Sequence, residues 1–294
     1  VTALAQAALR LPNGTALEDA ANAGIVVSIY VALLGLGLLT AVGLAFYFRD
    51  QRVDWEQHKR RLLGRPWERF DAIGLFAAMI LLQIGIAFAL QPLGRLIPSA
   101  TQETTAFMVQ TLALDVLGIV VVAGLLAHRR FSWQGAFGLT LRGGGRSLLR
   151  GAVFFLAVMP FFWFYSTLYE LGLRWLGVDP TLQEVAVALT NDQPLGVRIY
   201  LIGVAVVFAP VFEELLFRGM LLPVAAKWLG VGRGIMLVAL LFAAIHLHLP
   251  SLLPLFIVGV AFSLAYLYSG NLLVPIVMHG LFNAFNLAVL TALR

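Results

Sequence analysis

Long apolar runs, separated by short basic or polar loops, dominate this chain. Eight stand out, at about 22–47, 71–92, 104–127, 151–173, 196–221, 233–249, 251–268 and 271–293. Each approaches the ~20 residues that an α-helix needs to cross the ~30 Å hydrocarbon core of a bilayer. The alternation of apolar and polar positions typical of a transmembrane β-strand is absent. A segment surrounded by lipid must satisfy its own backbone polar groups, so the runs predict helices. The expected fold class is all-α, a polytopic transmembrane helical bundle of about eight spans. No polar stretch is long enough to fold alone, so residues 1–294 read as a single integral membrane domain. The lipid bilayer is its first partner.

Composition supports this class. Apolar residues make up 61% of the chain and charged ones only 12%, against about a quarter in a soluble domain. The net charge of +5 does not indicate nucleic acid, because a basic excess in a membrane protein marks cytoplasmic loops. Loops 48–70 and 128–150 hold 12 of the 20 Lys and Arg residues, which places both on the cytoplasmic side. Lys227 and Arg233 then fall on the same side, and eight spans put both termini opposite. Trp55, Trp67 and Trp133 are expected to anchor the basic loops at the interface. The mixed charges of loop 48–70 predict a short amphipathic helix, and Arg142-Gly-Gly-Gly-Arg146 a flexible basic turn with no nucleotide role. The chain has no cysteine, which removes disulfides, thiolate metal sites and a thiol nucleophile. Its first 20 residues lack the basic region and apolar core of a secretory signal.

Within the apolar runs, four places break the pattern. Charges at membrane depth are costly and by default mark function. In the fifth run, Glu213, Glu214 and Arg218 fall within one helical turn and a half. Glu214 and Arg218 are spaced i, i+4 and can pair along one face, while Glu213, about 100° round the helix, is left without a local partner. Pro210 removes a backbone donor just before them and opens the helix there. The sixth run carries His246 in Phe-Ala-Ala-Ile-His, and His248 near its end. The eighth carries His279 and Asn283 on one face. Asp115, with Gln110 on the third run, is expected to pair with another helix in a structural role.

Ion pairing and interhelical hydrogen bonding would account for each feature separately. Together they place one carboxylate, two imidazoles and an amide on three C-terminal helices. A desolvated carboxylate is suited to act as a general base, one histidine to hold water, and the other with the amide to donate to a tetrahedral oxyanion. The trio Glu213, His246 and His279 is equally a donor set for a divalent metal such as zinc.

Glu213-Glu-Leu-Leu-Phe-Arg218, Phe242-Ala-Ala-Ile-His246 and His279-Gly-Leu-Phe-Asn283 resemble the EExxxR, FxxxH and HxxxN motifs of the CPBP family, in the same order. These are the CAAX-protease and bacteriocin-processing proteins, also called Abi. The likeness covers about 196–290, and the helices of 1–195 carry no family signature. The resemblance implies an intramembrane endopeptidase whose catalytic residues are Glu213, His246, His279 and Asn283, supported by Glu214, Arg218 and Phe242. Glu213 would activate the water, His246 would help hold it, and His279 with Asn283 would stabilise the oxyanion. It implies no cofactor, with the divalent metal at Glu213, His246 and His279 as the alternative. The substrate would be a membrane-associated peptide or protein, unlipidated if the chain sits in a prokaryotic plasma membrane as its plain build suggests. The other readings of the same buried groups are a proton-linked carrier and a non-catalytic peptide-binding scaffold.

Overall fold

The computed structural model describes residues 16–50, 53–94, 99–140, 143–181 and 194–292, with side chains for all of these except 16–23, 25–26, 93–94, 99–108 and 292. Helices account for nearly all of them: α1 (Ala16–Asp50), α2 (Trp55–Leu63), α3 (Arg69–Gly94), α4 (Ser99–Arg129), α5 (Trp133–Phe137), α6 (Gly144–Trp175), α7 (Leu195–Leu229), α8 (Val231–Ala244), α9 (Leu252–Ser269) and α10 (Leu273–Ala292). No strand occurs among the described residues. Seven helices are long and apolar enough to cross a membrane: all of these except α2, α5 and α8. The protein is an integral membrane helical bundle. Residues 95–98 and 182–193, in the stretches after the second and fourth apolar runs, lie outside the described residues.

The sixth apolar run differs from its expectation. It forms α8, a helix of 14 residues and therefore about 21 Å long, short of a full span. Its end is built by His246. The imidazole Nδ1 donates to the Phe242 carbonyl at 2.7 Å, taking the acceptor that the next backbone N–H of a continuing helix would use. Leu247 then adopts φ +47° and His248 is extended, before a single 3-10 turn at Leu249–Ser251.

α6 is the hub of one half of the bundle, lying against α1, α9 and α10. Phe155, Met159, Phe162 and Trp163 meet Phe262, Val274, Met278 and Phe282 there. In the other half, α7 turns back into α8 and α8 into α9. α8 and α9 approach closely because Gly259 has no side chain to hold them off: a Cβ there would lie 3.1 Å from Ala239 Cα. α3 packs on α4, and α4 reaches α7 at Gly118, where a Cβ would overlap the Phe212 ring.

Both basic loops lie at one end of the bundle, as charge placement predicts. α2 is the expected amphipathic helix, capped by Asp54, whose carboxylate accepts from Gln57 N–H at 3.0 Å. Arg65 ties three elements together by donating to the carbonyls of Gln134, Gly135 and Gly270. Lys227 donates to the carbonyls of Arg65 and Trp67 and to Glu68. Trp67 corrects its expectation: it is fully buried rather than interfacial, with Nε1 donating to the Ala136 carbonyl at 3.2 Å. Trp55 and Trp133 remain exposed. The glycine-rich turn is shorter than expected, since Gly144 already begins α6 and only Gly143 takes a positive φ.

Candidate active site

The site forms where α7, α8 and α10 meet, and two prolines shape α7 for it. Pro210 has no N–H for the carbonyls four or five residues back, Val206 and Ala205. The helix widens into a π-turn at Val204–Phe208, and both carbonyls face α10. Ala205 accepts from Asn283 Nδ2 at 2.7 Å. The Val206 carbonyl comes so close to Gly280 that a Cβ there would lie 2.8 Å from it. A second π-turn, Leu215–Leu221, precedes Pro223 by the same logic and carries Arg218. Single π-turns of this kind recur at functional sites.

At its centre is a buried pair. Glu214 and Arg218 are both fully buried, with Arg218 Nη1 donating to Glu214 Oε1 at 2.8 Å. Arg218 Nη2 donates to the Gly259 carbonyl at 3.0 Å, which also accepts the Ser263 hydroxyl. The guanidinium lies 4.5 Å from the centre of the Phe242 ring and 5.2 Å from that of Phe262. These aromatic faces favour a cation that lipid would not. Phe242 thus lines the buried charge.

The pair orients His279. Glu214 Oε1 accepts from His279 Nδ1 at 3.0 Å, and a carboxylate already held by arginine can only accept, so Nδ1 carries the proton. Phe262 stacks on the imidazole with centroids 4.8 Å apart. The ring is fixed with Nε2 turned towards Glu213, whose Oε2 lies 3.8 Å away. That is too long for a direct hydrogen bond. The Glu213 side chain is 20% exposed, yet its Oε2 is buried with no hydrogen-bond partner.

Glu213, Glu214, Arg218 and His279 therefore form one contiguous cluster. His246 and Asn283 join it less directly. His246 is half-buried, and its ring meets Phe242 at 5.1 Å, with His279 on Phe242 at 5.8 Å. Its Nδ1 is engaged by the Phe242 carbonyl, which leaves Nε2 as an acceptor. Asn283 spends one N–H on Ala205 and keeps the other. Among the described residues no three His, Asp or Glu side chains converge closely enough to hold a metal ion. The proposed donors Glu213, His246 and His279 are not gathered as a ligand set in this geometry.

Asp115 is buried on α4, with its Oδ2 lacking a hydrogen-bond partner. The tie between Asn283 and Ala205 was missed, although Pro210 at five residues' distance was its signal.

Comparison with known proteins agrees with this location. Residues 195–285 are matched by the family model described as Type II CAAX prenyl endopeptidase Rce1-like, and that domain holds all the clustered site residues. The chain is also 39% identical over 82 residues to an uncharacterized 24.3 kDa protein of Escherichia coli, covering 25% of this chain and 36% of the relative. The match thus spans about a third of that relative's length. No solved structure gives a significant match.

Proposed function

We propose that this protein, carrying an Rce1-like domain at residues 195–285 inside a membrane bundle, is an intramembrane endopeptidase that hydrolyses a peptide bond with a water activated by Glu213. The observation that carries the reading is the partnerless Glu213 carboxylate facing His279 Nε2 at 3.8 Å. The adjacent Glu214 is held through Oε1 by both Arg218 and His279 and is fully buried, although its Oε2 also lacks a hydrogen-bond partner. Glu213, 20% exposed, is the motif glutamate that a water can reach.

In this mechanism the water donates one hydrogen bond to Glu213 and another to His246 Nε2. Glu213 takes the first proton as the water oxygen bonds to the carbonyl carbon. The carbonyl oxygen gains the electron pair and is met by the free Asn283 N–H. When the tetrahedral intermediate collapses, the C–N bond breaks and Glu213 returns its proton to the leaving amine. Acid–base transfer of this kind contributes roughly 10²–10⁴-fold, and one oxyanion donor roughly 10²–10³-fold. The substrate is a membrane-associated peptide or protein.

The test is cleavage of quenched-fluorescent peptides, unlipidated and prenylated, by purified protein in detergent. Wild type would be compared with Glu213→Gln, each with and without chelator. Cleavage lost in the variant and indifferent to chelator supports the reading. Normal turnover by Glu213→Gln refutes it, and loss with chelator that a divalent ion restores replaces it with the metal reading.

A further inference from the structure

Uncompensated charge remains at the basic end of the bundle. Glu68 and Asp71, on either side of Arg69, are both taken: Lys227 bonds Glu68 at 3.1 Å and Arg129 bonds Asp71 at 2.6 Å. Arg69 itself pairs with no acid among the described residues. Its guanidinium is nonetheless held in place. It lies 4.9 Å from the centre of the Phe70 ring and 6.0 Å from that of Trp228, and the second contact joins the start of α3 to the end of α7. Arg233 is exposed and also has no acid partner among the described residues. It follows Trp228 closely in the chain, with Gly230 alone linking α7 to α8.

Depth decides what such a group can meet. Arg69 is the first residue of one membrane-length segment, Arg69–Pro92, and Trp228 is the last but one of another, Leu195–Leu229. Both therefore lie where hydrocarbon gives way to headgroups. Phe70 is 71% and Trp228 63% exposed, at the level that amphipathic aromatic rings favour. A guanidinium whose face rests on rings keeps its N–H edge free, and that edge matches two oxygens of a phosphate. Basic groups set between helices at this depth recognise anionic headgroups.

We propose that Arg69, Arg233, Trp228 and Phe70 form a binding site for one anionic phospholipid. Its phosphate bonds Arg69 and Arg233, and its glycerol and upper acyl chain lie on Trp228 and Phe70. The lipid supplies the negative charge that Glu68 and Asp71 have already given to other partners, and it bridges the start of α3 to the turn between α7 and α8. Trp228 lies about 20 Å along α7 from Glu213, so the lipid clamps helix ends and does not touch the hydrolytic site. The proposal is independent of the base role of Glu213.

Native mass spectrometry of the purified protein, with phosphatidylglycerol and phosphatidylcholine supplied in equal amounts, tests this. Wild type is expected to retain one phosphatidylglycerol in preference to phosphatidylcholine. Arg69→Gln and Arg233→Gln are each expected to weaken that retention about fivefold, while Arg146→Gln, at an exposed arginine near the start of α6, leaves it unchanged. Brominated lipids then locate the site. The tryptophan emission that Trp228→Phe removes is expected to be quenched more by brominated phosphatidylglycerol than by brominated phosphatidylcholine, and that preference is expected to vanish in Arg69→Gln. All four variants alter exposed side chains, and circular dichroism checks that each keeps its helices. Equal retention of the two lipids overturns the proposal. An equal loss in Arg146→Gln also overturns it, because it marks a diffuse basic rim. Displacement of the lipid by inorganic phosphate does the same, because it marks a simple anion site.

Discussion

Replacing Arg218 by methionine tests how this site is held together. Methionine keeps the length and apolar stem of the side chain but removes the charge that Glu214 faces. The change deletes the 2.8 Å bond to Glu214 and the 3.0 Å bond to the Gly259 carbonyl, and it takes a cation from between Phe242 and Phe262. Breaking one side of a fully buried pair costs about 3–5 kcal/mol, because the remaining charge is left uncompensated. Arg218→Met is therefore expected to lose about that much stability, read by reversible unfolding in mixed detergent micelles with tryptophan fluorescence. The decisive companion is Glu214→Gln with Arg218→Met. A glutamine at 214 is neutral and can still accept from His279 Nδ1, so the double variant is expected to recover most of the loss, to within about 1 kcal/mol of wild type. A single variant as stable as wild type would refute the argument. So would a double variant no more stable than the single.

Three further outcomes follow from the geometry. Pro210→Ala returns an N–H that competes with Asn283 for the Ala205 carbonyl; thermal unfolding is expected to occur no lower than in wild type while cleavage falls, and unchanged cleavage would show that the freed carbonyl is irrelevant. Gly138→Ala places a Cβ onto the Gly270 carbonyl at a residue with φ +67°, so a loss above about 2 kcal/mol is expected from strain and overpacking together, measured in the same unfolding assay. Trp67→Phe keeps the apolar contacts of a fully buried ring but strands the Ala136 carbonyl, at a cost of about 1–3 kcal/mol.

The bundle and much of the site were legible in the residues because lipid leaves few alternatives. An apolar run of sufficient length has to be helical, and a charge inside it has to be explained. The i, i+4 spacing of Glu214 and Arg218 sufficed to pair them, since that contact lies within one helix. Contacts between helices were not legible. Hydropathy cannot separate Trp67, buried under α5, from Trp55 and Trp133 at the surface, because all three follow basic stretches. The sixth run looked like a span because its composition stays apolar through Leu249. What ends the helix is a side-chain hydrogen bond from His246, which no hydropathy scale reads. Asp115 was visible as an anomaly, but its place against α7 depended on Gly118 letting α4 approach Phe212.

The brevity of α8 has a consequence for the surrounding lipid. A helix about 21 Å long cannot match a hydrocarbon layer of about 30 Å. The turn after it carries Leu247, 93% exposed, and Leu249, side chains that prefer acyl chains to water. Its polar groups are meanwhile satisfied from within: Tyr169 donates to the Leu249 carbonyl, and His248 bridges Ser251 and Thr181. The bilayer beside α8 must therefore thin or dimple to meet this turn, and a thinned annulus brings headgroups and water down towards His246. In this protein, bilayer thickness becomes a control on how wet the surroundings of His246 are.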